Sequence, residues 1–189
     1  MPKITGGNLR SRKLASPKGA NVRPTPGRVK EALFSILRPR IDGARFLDLF
    51  AGTGAIGFEA ASRGARRVVC VEAHHGTADA IRAAAAALGI SGVVEVVAAP
   101  VDRALYRLEG PFDVVYADPP YADGVPLQMF RLLLDRELLA EDAVVIFEHG
   151  ARTILPEIPG YRTGREEVYG DVALAFFTIR ASSDSDPAR

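Results

Sequence analysis

The 189-residue chain has one cysteine, Cys70, so a disulfide framework is excluded. Cys70 lies inside the apolar run "RRVVCVEA", where a small core residue is expected rather than a catalytic thiol. No apolar stretch approaches the roughly 18 residues that a membrane helix needs. The first residues carry no apolar signal-like segment, and a cytoplasmic protein is expected. No internal repeat appears. The adjacent histidines His74 and His75 lack further ligands at metal spacing, so no metal is expected.

Two other scarcities concern charge. Acid is nearly missing from residues 1–40, where ten basic residues face Glu31 alone, a balance of 10 − 1 = +9. Lysine is missing after position 30, and residues 41–189 carry 14 basic and 22 acidic residues, a balance of −8. The overall charge of +1 hides this asymmetry. A basic end on an acidic body points to a polyanion partner such as nucleic acid, against the plainer reading of a solubilising tail. The polar ending "ASSDSDPAR" reads as a disordered tail.

What is present follows a βα rhythm. "ITGGNLRSRKLAS" holds two short extended pieces around Gly6–Gly7, the pattern of a hairpin. In "RPTPGRVKEALFSIL", Thr25 is placed to N-cap a helix with Pro26 in its first position, and Val29, Leu33, Ile36 and Leu37 form one apolar face that Pro39 ends. From Ala44 onward, short apolar strands alternate with helices: "ARFLDLFA", "RRVVCVEA", "GVVEVVAA", "FDVVYA" and "DAVVIFEHG" are the strands. Strands apolar throughout imply a parallel sheet covered on both faces. Two last runs, near "YRTGREEVYG" and "DVALAFFTIR", read as antiparallel strands joined through Gly170–Asp171. The expected fold is α/β and Rossmann-like, a seven-stranded, mostly parallel sheet. We expect a basic hairpin-and-helix extension over residues 1–40, the main domain over 41–180 and the tail over 181–189.

Two motifs carry the chemistry. "LDLFAGTGAIGFEA" fits G-x-G-x-x-G at Gly52, Gly54 and Gly57, after a strand and before a helix, with Glu72 ending the next strand 20 residues after Gly52. That spacing places an acid at ribose hydroxyls. Dinucleotide binders share the fingerprint, but Asp48 just before the glycines would repel a pyrophosphate and suits a cationic ligand such as S-adenosylmethionine. The second motif is Asp118-Pro119-Pro120-Tyr121, at the end of "FDVVYA". Two prolines stop any strand and fix a rigid elbow, near the expected switch point between the first and fourth strands. Asp118 and the carbonyl of Pro119 can accept the two N–H groups of a flat exocyclic amine and draw its lone pair out of the ring. Tyr121 can stack on the base. In the plainer reading, Asp118 caps the loop and Tyr121 packs.

With these residues in place, the chain resembles a family. D-P-P-Y resembles the (D/N)-P-P-(Y/F) motif of amino-methyltransferases. "DLFAGTGAIGFEAASRGA", "GGNLRSRKL", "RPTPGRVKEALFSIL", "VEA", "FEH" and "YGDVALAFF" are similar to the RsmD family, which methylates N2 of guanine 966 in 16S rRNA, and the likeness spans residues 3–180. It implies a class I methyltransferase using S-adenosyl-L-methionine, acting on 16S rRNA in the small subunit or an assembly intermediate; a monomer is expected. Carried over by position, Asp48, Phe50, Gly52 and Gly54 lie on the methionine side of the cofactor. Glu72 and Ala73 lie at the ribose, Thr25 and Asp118 border the pocket, and Asp118 to Tyr121 hold the target base. Lys3, Arg10, Arg12, Lys13, Lys18 and Arg23 face RNA phosphates. Relatives carry an acid near the adenine where this chain has Pro100, with Asp102 two residues on. Adenine-N6 or protein-glutamine methyl transfer, a nicotinamide-dependent oxidoreductase and a non-catalytic RNA-binding module are the alternatives.

Overall fold

A computed structural model describes residues 3–14, 26–120 and 124–180. Its frame is a seven-stranded sheet. β1 (Arg45–Leu49), β2 (Arg67–Glu72), β3 (Val94–Ala98), β4 (Phe112–Ala117) and β5 (Leu139–Gly150) are followed by β6 (Tyr161–Tyr169) and β7 (Val172–Ile179). The strand order is β3-β2-β1-β4-β5-β7-β6. β1 to β5 pair in parallel, and β7 lies antiparallel to both β5 and β6. The order reverses between β1 and β4, where Asp48 is the register partner of Tyr116 and Leu49 of Ala117. That reversal opens the crevice in which doubly wound sheets bind ligands.

Strand side chains alternate between two cores. Phe46, Val68, Cys70, Val114, Tyr116, Ile146 and Leu174 face one side, with helices α1 (Gly27–Ile36), α3 (Ala55–Ser62) and α4 (His75–Ala87). Leu47, Leu49, Val69, Val115, Phe147 and Phe177 face the other, with α5 (Val101–Leu105) and α6 (Leu127–Asp135). On that second side Phe130 of α6 meets Phe147, Tyr161 and Phe177 edge-on at 5.2–6.0 Å between ring centroids. The buried Tyr161 hydroxyl donates to the Phe130 carbonyl at 2.8 Å. Each such ring contributes about 1.5–3 kcal/mol by leaving water. α4 holds its shape through alanine's helix propensity, and buries Thr77, Ala78, Ile81 and Ala85.

The start of the chain departs from expectation in three ways. Pro26 is the N-cap of α1 rather than its first helical residue, and Thr25 lies outside the described residues. The helix ends at Ile36, and Pro39 sits inside the next short helix, α2 (Arg38–Ile41), because a proline needs no N–H in a first turn. Among the described residues the hairpin is a single antiparallel bridge, Lys3 with Lys13, closed by Ile4 N–H to Arg12 O and Ser11 N–H to Ile4 O. Gly6 and Gly7 do not form its tip. Gly7 has φ +74°, and a Cβ there would stand 1.8 Å from the Ser62 carbonyl oxygen, so this glycine marks a close approach to α3. Ile4 and Leu14 are buried in the same core as Val29, Leu33 and Phe34 of α1. The tail, residues 181–189, lies outside the described residues.

Candidate active site

The strand C-termini at the switch point bring the motif residues together. After β1 the backbone turns sharply: Phe50 adopts φ +62°, Gly52 +54° and Gly54 +73°. A left-handed phenylalanine is an outlier for a bulky residue, the kind of strain that collects at ligand sites. Gly54 then caps α3, and its N–H donates to the Ala51 carbonyl at 2.8 Å. The third glycine serves packing. A Cβ on Gly57 would lie 2.5 Å from Cys70 Sγ and 3.3 Å from Asp48 Oδ2. Gly57→Ala is expected to push α3 off β2 and cost about 1–3 kcal/mol. Denaturant melts check this, and a parent-like midpoint would contradict it.

Asp48 lies within the core at the end of β1. It is 1% exposed, and its Oδ2 accepts the Gly57 N–H at 2.9 Å. Burial pushes its pKa up to about 8; the Gly57 bond opposes this, and Asp118 and Glu72 add to it. Glu72 holds the loop from the other side. One of its oxygens accepts Gly52 N–H at 2.9 Å and the other accepts His74 N–H at 2.8 Å. Each oxygen keeps a lone pair, so the pair of ribose hydroxyls that the spacing predicts can still be bound. Ala73 is exposed beside it. His74 caps α4: its Nδ1 accepts the Thr77 N–H at 3.2 Å. Pro100 is exposed and caps α5, with Asp102 exposed in the first turn of that helix.

At the end of β4, Asp118 is half-buried, Pro119 buried and Pro120 exposed. Asp118 is close enough to Asp48 to disfavour its ionisation. Tyr121, the base-stacking candidate, lies outside the described residues, as do Lys18 and Arg23. Next to the elbow, β5 ends in the buried pair Glu148 and His149. Glu148 accepts a hydrogen bond from the Tyr116 hydroxyl, and His149 stacks on Phe147. The "FEH" signature named these two without saying that they would be buried beside the elbow.

Lys3, Arg10, Arg12 and Lys13 are all exposed. Lys30 is not part of that basic surface, for it is 4% exposed and pairs with the fully buried Glu59 at 3.0 Å. A family model described as "Conserved hypothetical protein 95" matches residues 2–178. A curated relative, Ribosomal RNA small subunit methyltransferase D of Escherichia coli (strain K12), is 35% identical over 185 residues, covering 97% of this chain and 93% of its own. The chain belongs to the RsmD family. The putative rRNA methyltransferase YlbH of Bacillus subtilis (strain 168) is 31% identical, covering 94% of this chain and 99% of its own. The solved structure of the putative methyltransferase yhhF from Escherichia coli superposes with a TM-score of 0.86 at 33% identity, over 95% of this chain and 98% of that one. The fold is that of a class I methyltransferase, and the glycine turn, Glu72 and the D-P-P elbow all lie on its ligand-binding edge.

Proposed function

We propose that this RsmD-family protein transfers a methyl group from S-adenosyl-L-methionine to the exocyclic N2 amine of guanine 966 in 16S rRNA. It would act in the cytoplasm, as a monomer, on the small subunit or an assembly intermediate. The observation that carries the reading is the placement of Asp118 and Pro119 at the β1/β4 switch, beside the turn from Phe50 to Gly54. The residues fit the cofactor: Gly52 and Gly54 give backbone access, Glu72 keeps two free lone pairs, and Asp48 stands by for a positive charge. When bound, the cofactor supplies an electrophilic methyl group on a sulfonium. The protein's part is to seat the amine in line with it. Asp118 accepts one N–H and the Pro119 carbonyl the other, which localises the nitrogen lone pair.

The basic arm favours RNA over a peptide. Lys3 and Lys13 are cross-strand partners, and like charges placed opposite one another destabilise a ribbon unless an anion lies between them. Arg10 and Arg12 extend the same exposed segment. Phosphate contacts of this kind position the substrate, and a flipped or single-stranded guanine then enters the pocket. The test is transfer of labelled methyl from S-adenosylmethionine to unmodified rRNA, free and in small subunits, followed by nucleoside analysis. N2-methylguanosine is the expected product; N6-methyladenosine, or no transfer to RNA in either form, would overturn the reading.

A further inference from the structure

The arm cannot hold its own shape. Residues 3–14 contain one isolated bridge, far less than a ribbon needs to be stable alone. Ile4 and Leu14 anchor the segment in the core beside α1, and its backbone between them is held by polar contacts to α3. Glu59 is fully buried, and its carboxylate accepts from five donors: Thr5 N–H and Lys30 Nζ on Oε2, and Thr5 Oγ1, Gly6 N–H and Arg63 Nε on Oε1, all at 2.7–3.0 Å. Burial alone would raise its pKa, but the Thr5 N–H, Lys30 and Arg63 outweigh burial and hold it below the ordinary glutamate value. Lys30 Nζ also donates to the Lys3 carbonyl at 2.6 Å. One turn on, Ser62 Oγ accepts Leu9 N–H at 2.9 Å and donates to Gly6 O at 2.7 Å, while its carbonyl accepts Asn8 N–H at 2.8 Å.

This same helix begins at the cofactor turn. Gly57 N–H is bonded to Asp48, and Glu59 follows Ala55 by four residues, about 6 Å of helix. One short rigid element therefore carries the cofactor loop at its start and the arm on its flank. We propose that Glu59 is a positioning residue that fixes the basic arm to α3, so that RNA held by Arg10, Arg12 and Lys13 meets the pocket at a set distance from the cofactor. This rests on the arm being the RNA contact, as proposed above. Glutamine cannot replace Glu59: either orientation of its amide turns an NH2 toward donors that now find an acceptor, and the charge that balances Lys30 and Arg63 is lost.

The experiment compares Glu59→Gln, the milder double variant Thr5→Val with Ser62→Ala, and the arm variant Arg10→Ala, Arg12→Ala and Lys13→Ala. For each, KM and kcat on unmodified small subunits are measured across a salt series, and cofactor affinity by calorimetry, at temperatures where all are folded. Glu59→Gln is expected to raise KM for RNA about tenfold and flatten its salt dependence toward that of the arm variant, with kcat changed less and cofactor affinity within about twofold of the parent. Should Glu59→Gln fail to fold, the double variant must show the same split. A parent-like KM and salt slope in the Glu59 or double variant, beside a weakened arm variant, would overturn the positioning role while leaving the arm intact. A parent-like arm variant would overturn the arm as the RNA contact, and this inference with it. Loss of cofactor affinity in step with KM would reduce Glu59 to general stability and likewise overturn the proposal.

Discussion

Asp118→Ala should lower methyl transfer by about three orders of magnitude, the scale seen when one preorganised hydrogen-bond partner of a reacting group is removed. The reason lies in the nucleophile. An exocyclic amine shares its lone pair with the ring, and it becomes reactive only when both N–H groups are held out of that plane. Removing Asp118 leaves the Pro119 carbonyl with one N–H and nothing to oppose the second. Asp118→Asn keeps an acceptor oxygen, in line with the D/N alternation of the motif, and is expected to lose about tenfold instead. The fold should tolerate both changes. Asp118 is half-buried at a strand end, and taking its charge away relieves Asp48 rather than straining it. Single-turnover rates at saturating RNA and cofactor are the measurement. An Asp118→Ala protein that still transferred methyl at the parent rate would remove the catalytic assignment and return the non-catalytic RNA-binding reading to contention.

The parallel strands were legible because both faces of each are buried, so the runs at Val68–Val71 and Val114–Ala117 are apolar without a break. The start of β5 was not legible. Its first residues, Leu139 to Asp142, include two exposed acids, and they pair with β4 across a register shift between Phe112 and Val114. The helix boundaries near Pro26 and Pro39 slipped for a related reason: proline marks a first turn, but not which residue of that turn it occupies. Gly6–Gly7 misled in a different way. A glycine pair signals a turn and a close approach equally well, and only the carbonyl of Ser62 shows which applies.

Within the site, local patterns sufficed for the glycine turn, Glu72 and the elbow, since each is a few residues at a strand end. Pairings at long range had no such signal. Glu59 reads as one acid in the apolar stretch "AIGFEAAS", and nothing local joins it to Thr5 across 54 residues. The charge of Lys30 was counted with the arm, although the fold spends it on that buried acid. The buried pair Tyr116–Glu148 was hidden likewise, because it is set by the alignment of β4 with β5 and not by spacing along the chain.

Asp48 should leave a pH signature that asparagine erases. In the unfolded chain an aspartate titrates near its ordinary value of about 3.9; in the fold, burial first of all, with Asp118 and Glu72 adding to it against the Gly57 bond, pushes Asp48 up to about 8. Between about pH 4 and pH 8 the folded protein then holds a proton that the unfolded chain has lost. Stability contributed by this group is greatest at the acid end of that window, declines as pH rises through it, and changes no further above about 8. Even half of the shift is worth about 3 kcal/mol across the window. Asp48→Asn keeps an oxygen for the Gly57 N–H but cannot ionise, so the difference between parent and variant stability should grow in the variant's favour from pH 5 to pH 8. Cofactor binding should run the other way. A ligand bringing positive charge to Asp48 favours its ionised form, so parent affinity should rise with pH up to about 8, while Asp48→Asn binds about 10- to 100-fold more weakly at pH 8 with little pH dependence. Paired denaturant melts and calorimetric titrations at each pH decide the matter. If the parent and variant stabilities ran parallel over that range, Asp48 would be ionised in the fold from the start, and its role would be that of a fixed charge rather than a group that sheds its proton when the cofactor arrives.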